Sequence, residues 1–254
     1  MFVFLYAPII VLALYSFNSS RSRGSWDGFT FQWYLDMFQD RHILASLYYS
    51  IIIGVAASLV ATVVGTAAAF GIHNMKSLPQ SAAMNLTYIP VLNPDIVTGI
   101  SFMLLFIFLH IRLGFATLLL SHITFNIPYV ILSVLPRIKQ LDKSLYEAAL
   151  DLGATPNQGF HKIILPEIMP GVITGLLLSF TLSLDDFVIS FFTTGSGVSN
   201  LSITIYSMAR RGINPKINAL STLMFVCVLI LLIIVNVLMS RQQNSNNSRR
   251  LGNV

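Results

Sequence analysis

Charged side chains are almost confined to short segments that separate long apolar runs. Four runs contain no Asp, Glu, Lys or Arg: 1–20, 43–72, 113–136 and 217–240. Two more contain acids alone: Asp95 in 77–111, and Asp185 with Asp186 in 168–209. A helix that crosses a membrane needs about 20 mostly apolar residues. The pattern therefore predicts six such helices, near residues 1–17, 45–72, 82–109, 115–136, 164–193 and 217–240.

The composition agrees with an all-α integral membrane protein. Hydrophobic residues make up 55% of the chain and charged residues only 10%, against roughly 25% charged in soluble domains. A membrane β-barrel needs strands of about 10 alternating residues, and these runs do not alternate. We predict a single transmembrane domain over residues 1–240, followed by a polar tail over 241–254.

Two of the predicted helices carry small residues at helical spacing. They are Ala57, Ala61, Gly65 and Ala69 in the second helix, and Gly171 and Gly175 in the fifth. Small side chains let helix backbones approach closely in lipid. We interpret both stripes as packing surfaces, with dimerisation against a second subunit as the narrower alternative.

Residues 137–166 form a charged island between two apolar runs. Asp142 suits the N-cap of a short helix, because its carboxylate accepts backbone N–H groups near the positive helix end. Gly153 suits the position after that helix, where a left-handed backbone is least costly for glycine, and Pro156 follows as a stop. One side of the predicted helix is apolar, made of Leu145, Ala148, Ala149 and Leu152. Such a side on a surface element indicates a docking surface, or else a connector packed on its own bundle.

The same island carries the spacing of a known signature. Glu147-Ala148-Ala149 is followed after three residues by Gly153, and after nine more by Ile163-x-Leu165-Pro166. This resembles the EAA signature of ABC-importer permeases, in which the loop forms a coupling helix seated in a groove of a partner ATPase. The resemblance implies a type I importer permease (MetI-like) fold with a cytoplasmic coupling helix. It assigns coupling to Glu147, Ala148, Ala149 and Gly153.

The chain has no recognisable ATP site of its own. None of its lysines follows a glycine, so the Gly-Lys pair of a P-loop is absent. The resemblance therefore implies that a separate ATP-binding subunit, present in two copies, hydrolyses ATP. We expect that this chain is not an enzyme and needs no cofactor or metal.

Asp95, Asp185 and Asp186 are predicted to lie inside the membrane. A charge at the bilayer centre costs about 2.5–3.5 kcal/mol on insertion scales, and no Lys or Arg falls inside the six predicted helices. The partner is then a cationic substrate, a basic residue of another subunit or a proton. Adjacent helical residues point about 100° apart, so one of the neighbouring acids is free to cap a helix or pair locally. We predict all three as substrate-path residues, with capping of loose backbone groups as the alternative.

Pro94 and His122 also lie inside the predicted membrane helices. Pro94 removes a backbone hydrogen bond and is predicted to kink the third helix. Carbonyls freed at such a kink can face a cation, because broken helices at membrane depth line cavities. His122, in the fourth run, is interpreted as a packing or interfacial group, since it lacks a metal-like neighbour pattern.

Six segments extend the resemblance over nearly the whole chain. They are NPDIVTGIS (93–101), LSHITF (120–125), EAALDLGA (147–154), KIILPEIMP (162–170), LSFTLSLDDFVIS (178–190) and IYSM (205–208). Together they are similar to the PotC-type permeases of spermidine/putrescine importers. That resemblance implies polyamine import across a bacterial inner membrane, with a second permease subunit and a periplasmic polyamine-binding protein as partners and no role for nucleic acid. It also places both termini in the cytoplasm, which the nearly even distribution of basic residues between the loops does not decide.

Other functions remain open from the residues. The same importer class with another cationic solute, such as iron(III), also suits intramembrane acids. An ion-coupled secondary carrier would suit them too, but inverted repeats, which would support it, are not evident and the EAA loop would be unexplained. A non-transporting scaffold subunit would leave the three acids without a role.

Overall fold

The computed structural model describes residues 2–20, 25–141, 143–211, 215–230 and 232–233. Within these residues the secondary structure is helical, apart from loops and an isolated β-bridge between Asn18 and Phe29. One π-helical turn is present, at Phe160–Ile164. In chain order the helices are α1 (Phe2–Tyr15), α2 (Gln32–Gln39), α3 (Arg41–His73), α4 (Ser77–Leu92), α5 (Asp95–Phe108), α6 (Phe115–Lys139), α7 (Lys143–Asp151), α8 (Pro156–Gly159), α9 (Leu165–Asp185), α10 (Val188–Thr193), α11 (Leu201–Arg211) and α12 (Pro215–Ile230).

Three helices are long and apolar enough to cross a membrane. They are α3, α6 and the 30-residue helix Pro156–Asp185, which α8, the π-helical turn and α9 form together. Helices α4 and α5 meet the same criteria only as a pair that is bent by 104°, as in a broken span or a re-entrant loop. The described residues thus hold three spans, or four with the bent pair. The count of six stays a prediction.

The second and fourth predicted helices are confirmed, whereas the two predicted over runs that contain an acid are each interrupted. The second and fourth predicted helices match α3 and α6 to within a few residues. The single helices predicted over 82–109 and 164–193 are each broken, because the backbone is extended at Asn93 and Pro94 and again at Asp186. The end of the sixth predicted helix and the tail over 241–254 lie outside the described residues, and the single domain over 1–240 stays a prediction.

Contacts divide the chain into two compact units, residues 52–196 and residues 1–51 with 197–254. In the first unit α6 packs along α9, and a buried apolar cluster joins them to α3. Val130 of α6 lies at the centre of this packing. A Cβ added to Gly65 of α3 would lie 2.7 Å from the Val130 Cβ, and one added to Gly175 of α9 would lie 3.3 Å from the Val130 Cα.

The small-residue stripes therefore pack inside this chain. In α3, Ala57, Ala61 and Ala69 are completely buried, and Gly65 completes the same stripe against Val130. In α9, a Cβ on Gly171 would meet the carbonyl oxygen of Ser133. The interpretation of both stripes as packing surfaces is confirmed, and their buried residues are occupied by contacts within the chain.

Replacing Gly65 by leucine should destabilise the protein through this contact. Overpacking of a filled core typically costs about 1–3 kcal/mol, and the Val130 Cβ is fixed to the α6 backbone, so it cannot move aside cheaply. The matched control is Gly71→Leu in the same helix, where an added Cβ meets no atom within 4 Å. Thermal unfolding of the purified protein in detergent should show a lower midpoint for Gly65→Leu only. Equal midpoints for the two variants would contradict this account.

The second unit, residues 1–51 with 197–254, has its own apolar cluster. Met37 of α2, Ile43 of α3, Leu201 of α11 and Leu220 of α12 are buried together. Hydrogen bonds between polar side chains reinforce it, with the Ser46 and Thr204 hydroxyls 2.7 Å apart. These contacts seat α11 between the start of α3 and α12 within this unit.

Candidate translocation and coupling sites

Helix α9 ends at a break whose geometry is set by Asp186. The Asp186 backbone is extended, with φ −63° and ψ 120°. Its carboxylate accepts hydrogen bonds from the Ile189 N–H at 3.1 Å, the Ser190 N–H at 2.8 Å and the Ser190 hydroxyl at 2.9 Å. Asp186 therefore caps the first turn of α10. The expectation that one of the two adjacent acids caps locally is confirmed.

The neighbouring acid, Asp185, is exposed. Asp185 is the last residue of α9. Among the described residues, no hydrogen-bond donor or cation reaches its carboxylate within bonding distance. At this break the Asp186 side chain is therefore buried as a helix cap, whereas the Asp185 side chain is exposed.

Two side chains of α6 contact the break from the buried side. His122 Nε2 lies 2.9 Å from the Ser190 hydroxyl and 3.7 Å from the Asp186 carboxylate. The Asn126 amide donates to the Ser183 hydroxyl at 2.7 Å. The sequence interpretation of His122 as a packing or interfacial group missed this polar contact. The available signal was the spacing of His122 and Asn126, two polar residues four positions apart and therefore on one side of an apolar helix.

A second break separates α4 from α5. Asn93 and Pro94 have extended backbones, with ψ of 143° and 136°, and the two helices diverge by 104°. Asp95 is the first residue of α5 and its side chain is exposed. The predicted kink is therefore a complete break, with an acid at its edge.

The two breaks lie at one helix crossing. A Cβ on Gly99 of α5 would lie 3.0 Å from the Phe192 ring and 3.4 Å from the Ile189 Cα of α10. Asp95 precedes Gly99 by four helical residues, a rise of about 6 Å, and the Ile189 N–H donates to the Asp186 carboxylate. The two breaks, one carrying Asp95 and the other Asp185 and Asp186, therefore lie close to the same contact between α5 and α10.

The charged island folds as the sequence predicts. Helix α7 covers Lys143–Asp151, and Gly153 follows it with φ +88°, a conformation that favours glycine. Glu147 and Ala148 are exposed, Ala149 is half-buried, and Leu152 is 88% exposed. Asp142, the predicted N-cap, lies outside the described residues, and the Leu145 side chain is not described. The described part of the predicted apolar side is therefore largely uncovered by the rest of the chain.

Helix α7 contacts the 30-residue helix Pro156–Asp185 through one aromatic ring, and that helix contacts α3 through another. A Cβ added to Gly159 would lie 2.7 Å from the Tyr146 ring, so the ring of α7 rests directly on the α8 backbone. The next residue, Phe160, places its ring centroid 5.4 Å from that of Phe70 in α3. Thr155 and Gln158 cap α8 reciprocally. These contacts link α7 to α9 along the chain and to α3 across it.

Three apolar spans, two helix breaks that carry acids and an exposed helix joined to the spans agree with a membrane permease. The sequence model of the binding-protein-dependent transport system inner membrane component family matches residues 61–250. The chain belongs to this family of inner-membrane transport components.

Individual relatives narrow the comparison. The chain is 39% identical over 247 residues to the spermidine/putrescine transport system permease protein PotC of Escherichia coli K12, covering 97% of this chain and 93% of PotC. It is 40% identical over 249 residues to the putrescine transport system permease protein PotI of the same strain, covering 95% and 89%. The resemblance to PotC-type permeases is confirmed.

Solved structures share the fold at low sequence identity. A bacterial ABC transporter involved in the import of alginate superposes with a TM-score of 0.72 at 18% identity, covering 94% of this chain and 90% of the other. The MetNI methionine ABC transporter gives a TM-score of 0.58 at 16% identity, covering 80% and 99%. The prediction of a MetI-like permease fold agrees with these neighbours.

Proposed function

We propose that this chain is a transmembrane subunit of an ATP-driven importer that carries a polyamine, spermidine or putrescine, into the cytoplasm. The observation that carries the substrate class is the pair of exposed carboxylates, Asp95 and Asp185, at helix breaks that meet at one crossing. Relatives with nearly 40% identity are named for spermidine and putrescine transport.

The chemistry of a polyamine suits this arrangement. A polyamine is a flexible chain of ammonium groups, and each group loses hydration when it enters an apolar path. A carboxylate that is not neutralised by its own protein offsets that cost, because opposite charges about 4 Å apart attract by about 4 kcal/mol at an effective dielectric constant of 20. Two such sites near one crossing allow an ammonium group to pass from one carboxylate to the next. Asp186 serves this path indirectly, as the cap that fixes the break.

Energy comes from other subunits. We assign ATP hydrolysis to two copies of an ATP-binding subunit, in whose grooves α7 of this chain and its counterpart in a second permease are seated. A periplasmic polyamine-binding protein delivers the substrate. Glu147, Ala148, Ala149 and Gly153 form the part of this chain that meets the ATPase, which agrees with the exposed side of α7.

The topology follows from that docking. Helix α7 must lie in the cytoplasm to reach an ATPase, which places both termini there if six helices cross the membrane. Residues 1–240 then form one permease domain, in which the broken α4–α5 pair counts as a span. Movement of α7 reaches the spans through Tyr146 on Gly159 and Phe160 on Phe70.

Reconstitution tests the proposal directly. Vesicles that contain this chain with its partner subunits should accumulate labelled spermidine or putrescine only when ATP is enclosed and the binding protein is present on the opposite side. Ferric ion should not accumulate, and a protonophore should leave uptake unchanged. Uptake of ferric ion instead of a polyamine would show that iron(III) is the substrate of this importer. Uptake that is driven by an ion gradient without ATP would overturn the proposal of an ATP-driven importer.

A further inference from the structure

The contact between α6 and the α9–α10 segment contains three polar links in sequence order. The Thr117 hydroxyl donates to the Thr193 carbonyl at 2.8 Å. The second link joins His122 to Ser190, and the third joins Asn126 to Ser183. All six residues are buried. The links run antiparallel along α6 and the α9–α10 segment, and these six residues are called the polar seam below.

The break lies between two of these links. Ser183 precedes Asp185 and Asp186, and Ser190 follows them. Their partners, Asn126 and His122, stand four residues apart on one uninterrupted helix, a rise of about 6 Å. A break without such links could rotate about its extended residue. Here both of its ends are fixed to the same rigid element.

Because both ends of the break are held against α6, the break stays in the arrangement that exposes Asp185 and buries Asp186. Asp185 is the last helical residue of α9 and Asp186 has an extended backbone, so a rotation of α9 relative to α10 at this break would change which of the two carboxylates is buried. In the structure the Asp186 side chain is 7% exposed, whereas Asp185 is exposed. The His122 contact reaches Ser190 and lies beside Asp186, which places it on the capped side of the break.

Packing alone does not explain the polar seam, because this region contains buried polar atoms that lack hydrogen-bond partners within the described part of the chain. His122 Nδ1, Asn126 Oδ1 and the Ser179 hydroxyl are buried and have no hydrogen-bond partner among the described residues. An unsatisfied buried polar atom is destabilising, and an apolar side chain of similar size would avoid that cost. This cost favours a positional role for His122 and Asn126 over simple filling of space.

We propose that His122 and Asn126 are positioning residues that hold the α9–α10 break so that Asp185, and not Asp186, faces the substrate path. This inference rests on the proposed polyamine transport, and it adds residues that do not touch the substrate. Loss of either link lets the break roll and weakens the presentation of Asp185. Substrate affinity should suffer first, while assembly and coupling to ATP persist.

Kinetics of the reconstituted complex test the proposal. His122→Ala and Asn126→Ala should raise the KM for spermidine by about 3- to 15-fold, since interhelical hydrogen bonds in membranes contribute about 0.6–1.7 kcal/mol, with the maximal rate nearly unchanged. His122→Gln, which can place an amide N–H near the Nε2 position, should restore most of the affinity. The control is Ser121→Ala, which removes a buried hydroxyl bonded only to the Thr117 carbonyl of its own helix.

A second measurement does not depend on transport. With Cys227→Ser removing the chain's own cysteine, Asp185→Cys gives one thiol whose reaction with a cationic thiol reagent reports its exposure. Adding His122→Ala should slow labelling of this chain several-fold, and adding Ser121→Ala should not. A wild-type KM and labelling rate in both alanine variants, an equal effect of Ser121→Ala, or no rescue by His122→Gln would overturn the inference. Absence of spermidine uptake by the wild-type complex would instead overturn the proposed function, and the labelling result would still stand.

Discussion

Asp185→Asn should reduce spermidine uptake at low substrate concentration by about tenfold or more, while the subunits still assemble. Asparagine keeps the size of the side chain and removes its charge. The attraction between a carboxylate and an ammonium group is worth about 4 kcal/mol at 4 Å in surroundings of intermediate polarity, and each 1.4 kcal/mol lost is a factor of ten. Initial rates of ATP-dependent uptake in reconstituted vesicles measure the effect, with co-purification of the ATPase as the check on assembly.

Two comparisons make that experiment specific to Asp185. Glu167→Gln removes the same charge from an exposed site in the first turn of α9, about 27 Å away along the helix at 1.5 Å per residue, and should leave uptake unchanged. Asp186→Asn removes charge from the cap of α10 and should lower the yield of folded protein before it lowers affinity. Uptake by Asp185→Asn equal to that of the wild type would remove Asp185 from the path and leave the exposed carboxylate without a role.

The uninterrupted apolar runs could be placed from sequence because length and hydropathy are local properties. Helices α3 and α6 lie close to their predicted ranges, and Gly153 has the left-handed backbone expected of it. The break at Asp186 could not be placed, because Phe187, Val188 and Ile189 continue the apolar run without proline or glycine. Its only local signal was the pair of adjacent acids, one of which had to find backbone donors.

The contacts of the polar seam could not be predicted from the sequence for a related reason. His122 and Ser190 are 68 positions apart, and Asn126 and Ser183 are 57 apart, so each residue appears in the sequence as an isolated polar side chain in an apolar run. Only the packing of α6 against α9 joins them. For Pro94 the position of the break was predictable from the missing N–H, but its 104° angle depends on the packing of α5 against α10.

Gly159→Val should uncouple ATP hydrolysis from transport. The new side chain would occupy the space of the Tyr146 ring, since a Cβ alone already lies 2.7 Å from it. Displacing that ring shifts α7 relative to α8, and with it the Phe160–Phe70 contact that reaches α3. The docking side of α7, with Glu147 and Leu152 exposed, is untouched. The ATPase should therefore still co-purify and hydrolyse ATP, while the amount of spermidine carried per ATP falls steeply.

A pair of comparison variants separates docking from transmission. Glu147→Arg reverses the charge on the docking side and should detach the ATPase, so that co-purification itself is lost. Adding Tyr146→Ala to Gly159→Val removes the ring that the valine displaces and should recover part of the transport, because the two residues are in contact and their effects are not additive. Normal transport per ATP in Gly159→Val, or no recovery in the double variant, would show that force from α7 does not pass through the contact of Tyr146 with Gly159. The remaining covalent route through the π-helical turn Phe160–Ile164 would then have to carry the motion of α7 into α9.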